Sequence, residues 1–377
     1  MAPRFWYSAG GADKPIKTKL RTHESARLTA KQELMTSQLR NFGQRISVAP
    51  MMDWTDRACR SFHRKLSTKA LLYTEMVVAD AVIHGHRDRL LAYPEHQHPV
   101  ALQLGGSDPA KLAEATRVAL GYGYDEINLN VGCPSDRVQS GTFGACLMQT
   151  PDLVARCVAA MKEAAAPDKK VLITVKCRLG VDDQNIETAL DELADGCIDA
   201  GVDALWVHAR KAWLKGLSPK ENRDIPPLDY DRVYRLKARL KNMFVGINGG
   251  IANLDEAEQH LAYVDGVMIG RAAYHDCALL LDVDQRFYGS DAPLKTRHQV
   301  LREMYDEIEN HLLQGGKMNH YTRHIIGLFH GQPGARTYRQ ILSTKAVQPG
   351  AGVGVIEEAL AAMAAATDQL NRAEELA

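Results

Sequence analysis

Phe244-Val245-Gly246-Ile247-Asn248-Gly249-Gly250 and, one helix-length later, Gly266-Val267-Met268-Ile269-Gly270-Arg271 are two apolar runs that end alike, with glycine beside a polar side chain. Six similar runs precede them: Arg45–Met51, Leu71–Val77, Pro99–Gly105, Glu126–Gly132, Val171–Arg178 and Ala204–Ala209. Each is short, rich in aliphatic or β-branched residues, and reads as a buried strand. The intervening stretches, such as Asp108–Leu120, Pro151–Ala165 and Glu187–Ala200, have a helical apolar period. Pro109 and Pro151 follow Asp108 and Thr150, where a capping side chain and a ring-locked φ both favour a helix start. Strand and helix alternating eight times predict an α/β fold of parallel units, and eight units suit a closed (β/α)8 TIM barrel better than an open sheet.

Outward from the barrel, residues 45–289, the pattern changes on both sides. After Gly289 the stretches Leu294–Leu313, Asn319–Phe329, Ala335–Leu342 and Ile356–Leu376 all read as helices, so residues 290–377 predict a small all-helical domain. Residues 1–44 carry eight Lys or Arg against three acids and no apolar period until about Leu34. They read as a disordered or loosely attached extension. Lacking an apolar centre, they do not resemble a secretory signal.

Bulk numbers narrow the function. With 46 basic and 46 acidic residues the chain is neutral, so any nucleic-acid contact must come from a local patch. Seven cysteines with no CxxC pair argue against a disulfide framework or a zinc site, and point to a reducing, cytoplasmic setting without a bound metal. No apolar run has the length of a membrane span. No obligate protein partner is evident.

A barrel of this kind works at the C-terminal ends of its strands. Those positions hold Pro50-Met51-Met52, Gln103, Asn128-Leu129-Asn130, Cys133, Lys176-Cys177-Arg178, His208, Asn248-Gly249-Gly250 and Gly270-Arg271. The loops after the last two strands are the usual phosphate cradle of the fold, where glycine lets backbone N–H groups approach an anion; ordinary tight turns are the alternative. Lys176 and Arg178 share one strand face, while Cys177 points outward into the helices. A lysine inside a barrel needs an anion, and a reduced flavin supplies one near N1; a strand-end salt bridge is the other reading. His208 ends its strand beside the presumed phosphate loops and is either a ligand contact or a satisfied structural residue. Gly132 and Pro134 frame Cys133 at the mouth, where a thiol of ordinary pKa, about 8.5, is protonated and fit to be a general acid, or is simply structural. Outside the barrel, the 35 residues from His311 to Lys345 contain five Lys or Arg, four His and no acid. Arg336 and Arg339 share a helix face there.

With these residues in hand, the chain resembles the tRNA-dihydrouridine synthase family, and within it the A subfamily. The resemblance runs from about Arg45 to Leu342. It is carried by Val48-Ala49-Pro50-Met51-Met52-Asp53-Trp54-Thr55-Asp56, Leu129-Asn130-Val131-Gly132-Cys133-Pro134-Ser135 and Val175-Lys176-Cys177-Arg178-Leu179-Gly180. His208-Ala209-Arg210-Lys211-Ala212-Trp213, Leu217-Ser218-Pro219-Lys220-Glu221-Asn222-Arg223 and Pro333-Gly334-Ala335-Arg336 mark the subfamily. It implies FMN lined by Pro50, Met51 and Met52, with Gln103, Lys176 and His208 on its ring and ribityl chain. Asn248, Gly249, Gly250, Gly270 and Arg271 would hold its phosphate. It implies Cys133 as proton donor, and Asn130, Lys220, Arg223, Arg336 and Arg339 as contacts to tRNA. The implied reaction is reduction of uridine to dihydrouridine at D-loop positions 20 and 20a, with NADPH as a transient reductant, hydride passing from flavin N5 to C6 and a proton from Cys133 to C5.

Two other readings compete. A flavin reductase of free pyrimidines fits the barrel but not the acid-free helical segment. An RNA-binding scaffold without catalysis fits that segment but not the complete set of strand-end residues.

Overall fold

The structure, a computed structural model, describes residues 45–135, 142–168 and 170–375, so the extension at 1–44 lies outside the described residues. Eight strands, β1 (Ile46–Val48), β2 (Leu71–Val78), β3 (Val100–Gly105), β4 (Glu126–Val131), β5 (Leu172–Arg178), β6 (Ala204–His208), β7 (Phe244–Asn248) and β8 (Gly266–Ile269), pair in parallel with their sequence neighbours. β1 closes the ring on β8, with Ile46 opposite Val267 and Val48 opposite Ile269. The main helix after each strand covers the outside: α1 (Arg57–Leu66), α2 (Ala79–His84), α3 (Pro109–Leu120), α4 (Pro151–Ala165), α5 (Ile186–Asp199), α6 (Tyr230–Arg239), α7 (Leu254–Leu261) and α8 (Arg271–His275). This is the expected (β/α)8 barrel.

The strand period of two divides the apolar residues into two cores. Outward side chains such as Ile173, Val175 and Cys177 on β5 join the helices in one large cluster, while Leu172, Ala204, Trp206, Phe244 and Met268 fill the barrel interior. Trp206 is fully buried with its ring edge-on to Phe244, so truncating it to alanine should cost about 3–5 kcal/mol. The remaining inward positions of β5, Thr174, Lys176 and Arg178, climb toward the mouth and carry the polarity.

Several local expectations need correction. β1 stops three residues before the expected Met51: Pro50 has no N–H, and the N–H of Met51 donates to Thr55 Oγ1 at 3.0 Å, so neither can continue the ladder. Thr150 stands at the N-cap of α4 without capping it, because its hydroxyl points to the carbonyl of Leu147; Asp108, by contrast, caps α3 by accepting from Ala110 and Lys111. The expected helix Leu294–Leu313 is two, α9 (Arg297–Arg302) and α10 (Tyr305–Leu313). A Thr296–Gln299 capping box starts the first, and its end tightens where Glu303 N–H is shared between the carbonyls of Gln299 and Leu301.

Three more helices follow, α11 (Asn319–Ile325), α12 (Ala335–Lys345) and α13 (Gly354–Glu375). α11 ends short of the expected Phe329. Gly327 lies where a Cβ would come within 2.5 Å of His275 O, so the chain turns there to press its backbone on α8. Buried residues of these helices, including Ile325, Tyr338 and Ile356, belong to the same cluster as the outer wall of the barrel. No helix among the described residues is long and apolar enough to cross a membrane.

Candidate active site

The C-terminal strand ends bring most of the expected residues into one layer. Register places Asn130 beside Lys176, Arg178 beside His208, and His208 beside Asn248. Lys176 Nζ donates to Asn248 Oδ1 at 3.1 Å, and Asn248 Nδ2 donates in turn to Met268 O at 2.7 Å. No carboxylate among the described residues pairs with Lys176. Burial, and then the charge of Arg178, pushes its ammonium down to about 8. The strand-end salt bridge considered from the sequence is therefore absent. His208 is also held far below its ordinary value, first by burial and then by Arg178, Lys176, Arg210 and Arg223, so its ring is neutral at pH 7. Gly249, at φ +120°, faces it: a Cβ there would meet His208 Cδ2 at 2.8 Å.

Cys133 follows β4 in a turn built by Asn130, whose Oδ1 accepts from Gly132 N at 3.0 Å and Cys133 N at 2.9 Å. The thiol is partly exposed, lies 3.6 Å from Ser135 Oγ, and is close enough to Lys176, Arg178 and Arg223 to interact with their charges. Asn130 Nδ2 donates to Gln103 Oε1, Gln103 Nε2 to Asn128 Oδ1, and Asn128 Nδ2 to Thr174 Oγ1, at 2.7–2.8 Å. Thr174 and Tyr73 both donate to Glu126 Oε1 deeper in the barrel. Asn130, expected at the RNA, thus also serves as the brace of the cysteine turn, and Gln103 is buried within this ladder. Arg178, 3% exposed, gives Nε to Gly132 O and Nη1 to Lys211 O and Asn222 O, each at 2.9 Å. It ties the cysteine turn to the loop after β6. Sequence patterns singled out neither the ladder nor this clamp, since both depend on which carbonyls and amides face each other across strands.

Lys220 and Arg223 are exposed on that loop. Its keystone is buried Asn222, whose Nδ2 donates to Trp213 O at 2.9 Å and whose Oδ1 accepts from Trp213 N at 2.7 Å. Arg336 and Arg339 are exposed on α12 and pair with no described carboxylate. The two cationic pairs therefore stand on separate elements. The acid-free window is less bare than its sequence suggests, because Arg323 pairs with Asp56 and Lys345 with Glu358. Gly270 and Arg271 open α8 as expected, but the Arg271 guanidinium is drawn to Asp224 Oδ1 at 2.7 Å.

Pro50, Met51 and Met52 form a loop tied by Thr55, whose Oγ1 accepts from Met51 N and donates to Met51 O at 3.2 Å. Met52 is 54% exposed at the rim. No group of His, Cys, Asp and Glu able to hold a metal ion occurs among the described residues.

The family model described as dihydrouridine synthase (Dus) matches residues 47–366 of the chain. A Vibrio vulnificus protein named tRNA-dihydrouridine(20/20a) synthase is 54% identical over 318 residues, covering 84% of this chain and 96% of its own. A protein of the same name from Xanthomonas axonopodis pv. citri is 55% identical over 316 residues, covering 84% and 93%. A third, from Salmonella typhimurium, is 54% identical over 317 residues, covering 84% and 94%.

Proposed function

The chain belongs to the dihydrouridine synthase family, and from that premise we propose that it reduces uridine to 5,6-dihydrouridine in the D-loop of tRNA, at positions 20 and 20a. In this reading FMN is the resident cofactor and NADPH the transient reductant, and the enzyme works in the cytoplasm. Residues 45–289 form the catalytic barrel, and residues 290–377 the helical unit that docks RNA.

The observation that carries the reading is the ammonium of Lys176, half-buried at the mouth with an amide oxygen and no described carboxylate beside it. A cation left so is costly without an anion to meet it. An electron-rich flavin ring fits that demand, and Pro50, Met51, Met52, Gln103 and neutral His208 would hold it. Asn248, Gly249, Gly250, Gly270 and Arg271 fit its phosphate, since the positive φ of Gly249 and Gly250 leaves backbone free to approach an anion. When bound, FMN supplies the hydride, from N5 to uracil C6. The target base must leave the tRNA stack to reach the mouth. There Cys133, held in its turn by Asn130, gives its proton to C5. Lys220 and Arg223 on the loop, with Arg336 and Arg339 on α12, hold RNA phosphates.

Purified protein should be yellow, oxidise NADPH, and form dihydrouridine at positions 20 and 20a of tRNA, read by nucleoside-resolved mass spectrometry. Protein that takes up no flavin, or that reduces free uracil but not tRNA, would sink the proposal.

A further inference from the structure

The segment Met51–Asp56 is held more firmly than an exposed loop needs. Asp53 sits at φ 64°, a strained value for a side-chain-bearing residue, and its N–H donates to Glu75 Oε1 at 2.6 Å. Trp54 stacks on Tyr274 of α8, centroids 4.5 Å apart and planes at 12°, with His275 edge-on. The Tyr274 hydroxyl lies 3.1 Å from His324 Nδ1 and donates to Arg323 O at 3.3 Å. Asp56 Oδ2 pairs with Arg323, and its Oδ1 lies 3.1 Å from His324 Nε2. The β1 loop, the C-terminal end of α8 and α11 thus meet at one network.

Two of those segments carry Pro50–Met52 and Gly270–Arg271, while α11 belongs to the helices beyond the barrel. We propose that Asp56 and Arg323 are positioning residues, a latch through which the C-terminal helices hold the β1 loop and α8 in the shape that binds flavin. The proposal rests on the flavin reading above. Neither residue is among those assigned to flavin or RNA. Although burial opposes it, the partnership with His324, Cys59 N–H and Arg323 holds the Asp56 carboxyl at about 2, as expected of an engaged carboxylate.

Asp56 also caps α1, accepting from Cys59 N at 2.9 Å. A purely capping role is separable from the latch: asparagine caps as well as aspartate but carries no charge. The flavin-stripped full chain, titrated with FMN and followed by quenching of flavin fluorescence, reads the difference. Asp56→Asn and Arg323→Gln should each raise the FMN dissociation constant about tenfold, and the double variant no further, because both break one network. Arg323→Lys should recover part of the loss. Arg302→Gln, which breaks an ion pair with Glu357 in the same helices, should leave the constant unchanged. Single variants that bind FMN as tightly as the wild type, or penalties that add in the double variant, would overturn the latch while leaving the flavin reading intact. A wild type that takes up no FMN would overturn both.

Discussion

Replacing Cys133 tests the proton donor most directly. Cys133→Ala should keep FMN and its reduction by NADPH, since the backbone amides still face Asn130 Oδ1, while dihydrouridine formation falls by about 10²-fold or more. Stopped-flow bleaching of the flavin and tRNA nucleoside analysis read the two halves separately; loss of both together would make the thiol structural. Lys176→Met keeps the bulk of the side chain and removes the charge. We expect about tenfold weaker FMN retention, the loss of one charge-assisted contact, measured by ultrafiltration of the holoenzyme. Unchanged retention and unchanged reduction rate would remove Lys176 from the flavin site. Both residues were legible in the sequence because a strand's period of two and its C-terminal end decide what faces the mouth. Asn130 was only half legible. That it braces the turn depends on the amides of Gly132 and Cys133 lacking strand partners, which no residue pattern reveals. Asp56 stood in the sequence only as the end of a family motif; its pairing with Arg323, across 267 residues of chain, has no local signal.

At the scale of the element, α1 carries an acid-sensitive group on its interior face. His63, fully enclosed, is pushed down to about 3, first by burial and then by His324 and Arg64, with Asp56 opposing. Its folded value lies below its unfolded one, so the unfolded chain takes up a proton first. The stability that neutral His63 contributes is present above about pH 6.5 and drains away as pH falls toward 3, by roughly 2 kcal/mol at pH 5. Asp56 at the head of the same helix adds a loss between about pH 4 and pH 2. His63→Leu should therefore flatten the fall of Tm between pH 6.5 and 5, whatever its effect at neutral pH; parallel slopes for variant and wild type would refute the assignment. Element boundaries show where sequence reading thins out. The strands were found to within three residues, since each is an apolar run bounded by polar turns. The break between α9 and α10 was not, because Leu301, Met304 and Ile308 keep a helical period straight through it.

At the scale of the molecule, neutrality and RNA binding are reconciled by separating the charges. If Lys220, Arg223, Arg336 and Arg339 meet phosphates, tRNA affinity should fall with salt at a log–log slope of roughly −0.7 to −0.9 per contact. Replacing Arg336 and Arg339 together should flatten that slope and raise the dissociation constant while leaving NADPH oxidation without RNA unchanged. An isolated D-loop oligonucleotide should be a poor substrate, because the proposed docking cations stand on a barrel loop and on a separate helix and would read a folded shape. Parallel salt slopes for wild type and the double variant would return the free-pyrimidine reductase to the front. The barrel itself was legible as eight alternating units; the continuity of its outer core with the C-terminal helices was not, because an apolar helix face does not name the surface it covers.

The closure of β1 on β8 also sets a timetable. Ile46 cannot meet Val267 until more than two hundred further residues have been synthesised, so a nascent chain waits with an open sheet and an unpaired strand at each end. During that wait β1 is a three-residue edge strand held on one side only, by β2. The loop that follows it, proposed to line the flavin, is therefore not fixed until the ring closes, and a newly made chain should not take up cofactor before the ribosome has released nearly the whole barrel.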